Sequence, residues 1–218
     1  MLTVEEGDLL NNDLNYLDKL YNDGVRMITL TWNYSNCIGE PAINLGDKIR
    51  SNKGLTEFGK KVIQKMNELG MIIDVSHLSD EGFFEVVRLS KKPIVASHSS
   101  CRNINTSSRN LTDEMILALK ENGGIMGLNY CYDFLTSVDS LSTYDSIIKH
   151  LKHIKELGCL KHVGLGSDFD GIPTLNDVKD ASMIYKLKEL LLENEFSEKE
   201  VDDIFKNNFI RVIKKILK

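Results

Sequence analysis

The sequence predicts an α/β fold built on a parallel sheet. Three observations carry that prediction. Short β-branched runs recur along the chain, each too brief to be a helix. Apolar stripes at helical spacing lie between them. No Pro- or Ser-rich linker divides the 218 residues. Strands alternating with helices make βαβ units, and βαβ units make parallel sheets. Residues 1–218 therefore read as a single domain.

The strand signals are Met1–Glu5, Val25–Thr31, Met71–Val75, Pro93–Ser97, Gly124–Asn129 and Val163–Ser167. Runs of this kind fit strands buried on both faces. The first helical stripe is Leu14, Leu17, Leu20 and Tyr21, stopped by Gly24. The second is Phe58, Val62, Ile63, Met66 and Leu69, started near Thr56 and stopped by Gly70. Thr112 caps a third helix, with Asp113 and Glu114 in its first turn and Gly123 and Gly124 at its end. Acidic side chains there complement the positive end of the helix dipole. Ile147, Ile148, Leu151, Ile154 and Leu157 form a further face. A capping box, Ser197 to Glu200, opens a last helix through Val201, Ile204, Phe205, Phe209, Val212, Ile213 and Ile216. Two loops are long, about Trp32 to Leu55 and Ser99 to Leu111, and long loops after strands are where α/β proteins build sites.

Composition removes several function classes. Lys and Arg number 27 against 32 Asp and Glu, a net charge of −5. Binding a phosphate backbone needs clustered excess cations, so nucleic acid is not an expected partner. No apolar run approaches the roughly 20 residues that span a bilayer, so no membrane is expected either. The opening MLTVEEGDLL has no basic region leading into an apolar one, and the reading is of a cytoplasmic protein. Cys37, Cys101, Cys131 and Cys159 form no C-x-x-C pair and read as reduced, mostly buried side chains.

Chemistry concentrates where strands end. MIIDVSH ends in His77, PIVASHSS carries His98, VGLGSDFDG carries Asp168 and Asp170, and LTVEEG ends in Glu5 and Glu6. In a parallel α/β barrel such ends share one face. His and carboxylate ligands converging there suit a first-row divalent ion, most simply zinc. One His after one strand is usually structural; two such strands, with acids ending two more, outweigh that reading. His150 and His153, three apart on a helix, read as structural, His150 flanking the apolar face and His153 solvated. His162, ahead of a strand, is structural too. Asp170, before a glycine, reads as a turn residue, and Asp168 as the acid of the site. Alternation sends Glu5 and Glu6 to opposite faces, and physics alone leaves the choice between them open.

The stretches LTVEEG, GVRMITLTWNYSN, GMIIDVSHLSDEGFFEV, PIVASHSSCRNINTSSRNLTDEM, GGIMGLNY and HVGLGSDFDG resemble the renal (membrane) dipeptidase family, peptidase family M19 of the amidohydrolase superfamily. The likeness runs over essentially the whole chain. It implies a TIM-barrel-like (β/α)8 fold with two zinc ions, hydrolysing dipeptides through a hydroxide held between the metals. By position it implies Glu5 as the bridging carboxylate and His77 and His98 as ligands of the second metal. Asp168 matches the acid that handles the proton of the attacking water. Arg109 matches the arginine that holds the substrate carboxylate, as a guanidinium fork can.

Two departures qualify what carries over. The family has a His-x-Asp motif on its first barrel strand, and this sequence contains none. With six strand signals against the family's eight, the resemblance implies that residues 1–218 lack the first two βα units of the barrel, so one zinc or fewer and impaired activity are expected. Trp32 also stands where some relatives have a substrate-contacting His. An open barrel exposes strand edges, so pairing with another copy or with an upstream polypeptide is expected. A non-catalytic scaffold or binding protein is the alternative reading. An unrelated phosphate-binding barrel fits poorly, because the acids after Gly164 and Gly166 repel phosphate.

Overall fold

The computed structural model describes residues 1–43, 53–136, 143–172 and 177–218; part of the first long loop lies outside them. Six strands form one sheet in the order β1 (Leu2–Glu5), β2 (Val25–Thr29), β3 (Ile72–Asp74), β4 (Val95–Ser99), β5 (Ile125–Leu128) and β6 (Val163–Leu165). The pairings β1 with β2, β2 with β3, β3 with β4 and β5 with β6 are parallel. The expected α/β class and parallel sheet are thus present. The chain divides into two compact units, with the passage from one to the other inside β4.

The first unit comprises residues 1–96, 121–124 and 211–218. It holds β1, α1 (Asn15–Asn22), β2, α2 (Glu57–Leu69), β3 and α3 (Asp80–Leu89). The Thr56 hydroxyl caps α2 by accepting the Gly59 N–H at 2.9 Å, and Gly70 ends it with φ +76°. Its buried stripe is Val62, Ile63 and Met66. Helix α3 went unread in the sequence, yet its signals are ordinary. Ser79 caps it through the Gly82 N–H, Asp80 and Glu81 occupy its first turn, and Phe83 and Val86 are buried. Strand β1 departs from the expected two-sided burial: Leu2 is 58% exposed. An outer strand has a neighbour on one side only, and nothing among the described residues covers Leu2.

Strand β4 begins two residues later than its sequence signal. Pro93 has no N–H to donate, and the Ile94 N–H goes to the Asn122 carboxamide at 2.8 Å. Ladder pairing therefore starts at Val95, opposite Asp74, and His98 lies within the strand rather than after it.

The second unit comprises residues 97–120 and 125–210. It holds most of α4 (Asp113–Asn122), β5, α5 (Tyr132–Leu135), α6 (Thr143–Glu156), β6, α7 (Ile184–Glu193), α8 (Glu198–Asp202) and the start of α9 (Asn208–Ile216). Thr112 caps α4 through the Met115 N–H. Helix α7 was also unread. The capping box of Ser197 and Glu200 is formed. The last helix is not continuous: a π turn, Asp203–Asn207, separates α8 from α9. Beyond it, Asn208 donates to the carbonyls of Leu160 at 2.9 Å and Val163 at 2.8 Å. The wider turn re-aims the helix so that this buried amide meets the entry to β6. No helix among the described residues is long and apolar enough to cross a membrane. Cys101, Cys131 and Cys159 are buried and Cys37 is half-buried.

His150 and His153 are structural, in different ways. His150 has no exposed surface. Its Nδ1 accepts the Cys101 N–H at 3.0 Å, and its Nε2 lies 2.8 Å from the Leu135 carbonyl. His153, expected in solvent, instead sits 2.7 Å from the Asp113 carboxylate with its side chain only 13% exposed. Burial lowers the His150 pKa from 6.5 to about 4. The unfolded chain therefore binds a proton below about pH 6.5 that the fold refuses until about pH 4. The His150 contribution to stability is fully present at neutral pH and is lost through that window as pH falls, by on the order of 3 kcal/mol. Urea midpoints at pH 7 and pH 4.5 check this, and His150→Gln, though less stable at pH 7, should lose that part of the slope.

Candidate functional site

Register sets up the first unit's contribution. Glu5 pairs with Thr29, and Thr29 with Asp74, so the ends of three adjacent strands stand in one row. Asp74 has no exposed surface. A buried carboxylate needs donors. It takes the Thr29 hydroxyl at 2.6 Å and the Ser76 N–H at 3.0 Å. The second bond folds the chain back on itself just past β3. His77 follows in the left-handed region, φ +67°, a conformation uncommon for a residue with a Cβ. Its carbonyl is held by the Ala42 N–H at 2.6 Å. The imidazole is 8% exposed. Its Nε2 lies 3.3 Å from a Glu5 carboxylate oxygen and its Nδ1 3.0 Å from the Asn33 carboxamide oxygen.

The two neighbouring acids separate. Glu5 faces His77. Glu6, with φ +83°, turns to the loop after β2. Its carboxylate accepts the Trp32 N–H at 3.2 Å, the Asp8 N–H at 3.2 Å and the Asn36 amide. The ring of Trp32 stands 6.4 Å from that of His77 and 6.0 Å from that of Tyr34. Both aromatic side chains are exposed.

The second unit carries His98, Arg109 and Asp168. His98 is buried in β4, with Nδ1 2.7 Å from the Ser97 hydroxyl. Arg109 is 4% exposed. Its guanidinium donates to the His98 carbonyl at 3.4 Å and stands 5.4 Å from the Phe134 ring centre. Asp168 is half-buried with φ +66° and opens a turn that the Gly171 N–H closes onto its carbonyl at 3.0 Å. A Cβ at residue 171 would stand 2.6 Å from an Asp168 carboxylate oxygen, so a side chain there would displace that carboxylate. Asp170 is exposed in that turn. The other Asp168 oxygen accepts the Asn129 side-chain N–H at 3.1 Å, and the Asn129 carboxamide oxygen accepts the Cys131 N–H at 2.6 Å. Tyr130 is fully buried, its hydroxyl meets no partner among the described residues, and burial pushes its pKa up.

Sequence reasoning passed over Asp74, Asn33, Asn129 and Tyr130. Three of the four, Asn33, Asn129 and Tyr130, follow strand ends. A polar side chain in that position was the available signal.

Comparison with known proteins gives one consistent family. The profile of the membrane dipeptidase family (Peptidase family M19) matches residues 1–218. An uncharacterised dipeptidase of Schizosaccharomyces pombe is 33% identical over 216 residues, covering 98% of this chain and 52% of its own length. Human dipeptidase 3 is 31% identical over 220 residues, covering 100% of this chain and 45% of its own. The chain thus spans about half the length of the curated relatives it matches. A Rhodobacter sphaeroides metallopeptidase, crystallised with a phosphinate mimic of the dipeptide L-Ala-D-Ala, superposes with a TM-score of 0.91 at 26% identity, over 99% of this chain and 63% of its own. An amidohydrolase from Pseudomonas aeruginosa shares the fold, with a TM-score of 0.86 at 21% identity over 98% of this chain and 71% of its own.

The division between the two acids is testable without any ligand. Glu6→Ala strands the donors of Trp32, Asp8 and Asn36 and should cost about 1–3 kcal/mol in urea denaturation. Glu5→Ala should change the metal-free midpoint little, because half of its side chain is already in water.

Proposed function

Since the chain belongs to the membrane dipeptidase family, peptidase family M19, we propose that it carries the bridging carboxylate, second-metal ligands, proton-handling acid and substrate arginine of a zinc-dependent dipeptidase. The observation that bears most weight is the 3.3 Å approach of His77 Nε2 to the Glu5 carboxylate. An imidazole nitrogen and a carboxylate oxygen are ordinary zinc donors. Glu5 and His77 stand together in the first unit, and His98, buried in β4, is a further imidazole donor of the same kind. The donor chemistry fits the implied metal, and we assign Glu5, His77 and His98 to hold it.

A bound zinc ion supplies Lewis acidity and makes water acidic enough to attack near neutral pH. The remaining roles belong to the chain. Asp168 has one oxygen committed to Asn129, and its carboxylate accepts the water's proton and returns it to the leaving amine. Arg109 orients the free carboxylate of a dipeptide; its guanidinium sits over the Phe134 ring and is already buried, so little side-chain entropy is lost when substrate binds. Glu5 and His77 would offer the cation a carboxylate oxygen and an imidazole nitrogen.

The sequence contains no His-x-Asp pair, which supplies ligands of the other metal in the family. We therefore assign residues 1–218 one zinc or fewer and little or no hydrolysis by themselves. A scaffold role remains the second reading, and the same missing motif favours it.

Two measurements test this. Zinc content of the purified chain should be at most one per chain and vanish in His77→Ala and His98→Ala; stoichiometric zinc in the double variant removes the assignment. Dipeptide hydrolysis should stay near background for this chain and rise in a form extended upstream by a strand bearing His-x-Asp. Equal background rates in both favour the scaffold.

A further inference from the structure

We propose that Asn33 is a positioning residue for the metal site, holding His77 as the Nδ1–H tautomer so that Nε2 presents its lone pair on the Glu5 side. This rests on the reading of His77 as a metal ligand and extends it to a residue outside the ligand set.

The two ring nitrogens of His77 have different neighbours. Nε2 faces the Glu5 carboxylate at 3.3 Å, and Nδ1 faces the Asn33 carboxamide oxygen at 3.0 Å. A neutral imidazole has one N–H and one lone pair. An oxygen at Nδ1 calls for the N–H there and puts the ring's lone pair on Nε2. Ligating histidines are commonly fixed in this way by an acceptor on the second nitrogen. The opposite arrangement would have the Asn33 amide turned to donate to Nδ1, which puts the proton on Nε2 and blocks it.

Asn33 is also braced in place. The loop residues on either side are tied to one carboxylate: Glu6 accepts the Trp32 N–H and the Asn36 amide. Asn36 donates further to the Leu30 carbonyl at 2.9 Å and accepts the Ile38 N–H at 2.8 Å. The His77 backbone is pinned from the other side by Ala42. Neither partner of the Asn33–His77 bond has to be ordered when a cation arrives. Glu6, the acid that does not face His77, thus serves the site through the loop it holds.

The test is divalent cation affinity of the 218-residue chain, read with Co2+ by its visible spectrum and with Zn2+ by competition against a chelator. It compares wild type with Asn33→Leu, Asn33→Asp and His77→Ala, each checked for an unchanged metal-free melting curve. Leucine removes the acceptor at similar volume. Aspartate can only accept, so it enforces the Nδ1–H tautomer. The expected result is affinity about 10- to 100-fold weaker in Asn33→Leu, on the scale seen when such outer partners are lost. Asn33→Asp should stay within about threefold of wild type, or bind tighter, with the wild-type Co2+ spectrum, since a charged acceptor only strengthens the bond. Wild-type affinity in Asn33→Leu, or equal weakening in Asn33→Leu and Asn33→Asp, overturns the inference while leaving the metal reading intact. Absence of binding in wild type, or equal binding in His77→Ala, overturns the metal reading and this inference with it.

Discussion

A carboxylate with no water around it must be satisfied by the protein, and Asp74 is the clearest instance in this chain. It bonds sideways to Thr29 in the neighbouring strand and forwards to the Ser76 N–H. The sideways bond ties β2 to β3 at the level of Glu5. The forward bond reverses the chain and throws His77 into its left-handed conformation. His77 reaches the Glu5 carboxylate because of that reversal. A bond of this kind, donated to a charged acceptor in a buried place, is worth more than an ordinary one, and its loss leaves a charge stranded. The strain at His77 is therefore held by contacts on several sides.

The second unit uses a related device with a different acceptor. Asn129 is locked by the Cys131 N–H on its oxygen, which leaves its nitrogen to donate to Asp168. Close backbone approach supports that end of the sheet. A Cβ at Gly127 or at Gly166 would stand 2.1 Å or 2.0 Å from the Ser97 carbonyl. The strand carrying His98 is packed so tightly by its neighbours that only glycine fits at both positions. In each unit a carboxamide orients the side chain to which chemistry is assigned: Asn33 on His77, Asn129 on Asp168.

Charge is distributed to match. Salt bridges in the described residues lie mostly at the surface, between long side chains on or near helices, and such pairs contribute little. Buried ionisable side chains lie elsewhere: Asp74 ends β3 and His77 follows it in the first unit, while in the second His98 lies in β4, Arg109 in the loop after it and His150 on α6. Desolvating them is costly, and the fold meets that cost with specific bonds there and with apolar burial elsewhere, at Val62, Ile63, Phe83, Ile147 and Leu151 among others.

The sequence by itself determined the α/β class, the parallel sheet, most helix caps and the placement of Glu5, His77 and Asp168 at or just past strand ends. These follow from local rules: periodicity, capping and the absence of an N–H in proline. Its limits were local as well. Helices α3 and α7 carry ordinary signals that the apolar stripes alone do not single out, and the sequence signal puts β4 two residues early because the group that takes the Ile94 N–H, the Asn122 carboxamide, is 28 residues away in the chain. Only the tertiary structure decided between Glu5 and Glu6. Alternation sends them to opposite faces without saying which face is which; that depends on whether His77 or the loop of Trp32 and Asn36 lies there. It also decided that His153 pairs with Asp113 instead of facing water, and that Asn33 meets His77. Each of these is a contact between residues 26 to 72 positions apart, and such contacts exist only once the strands and loops have been brought together in space.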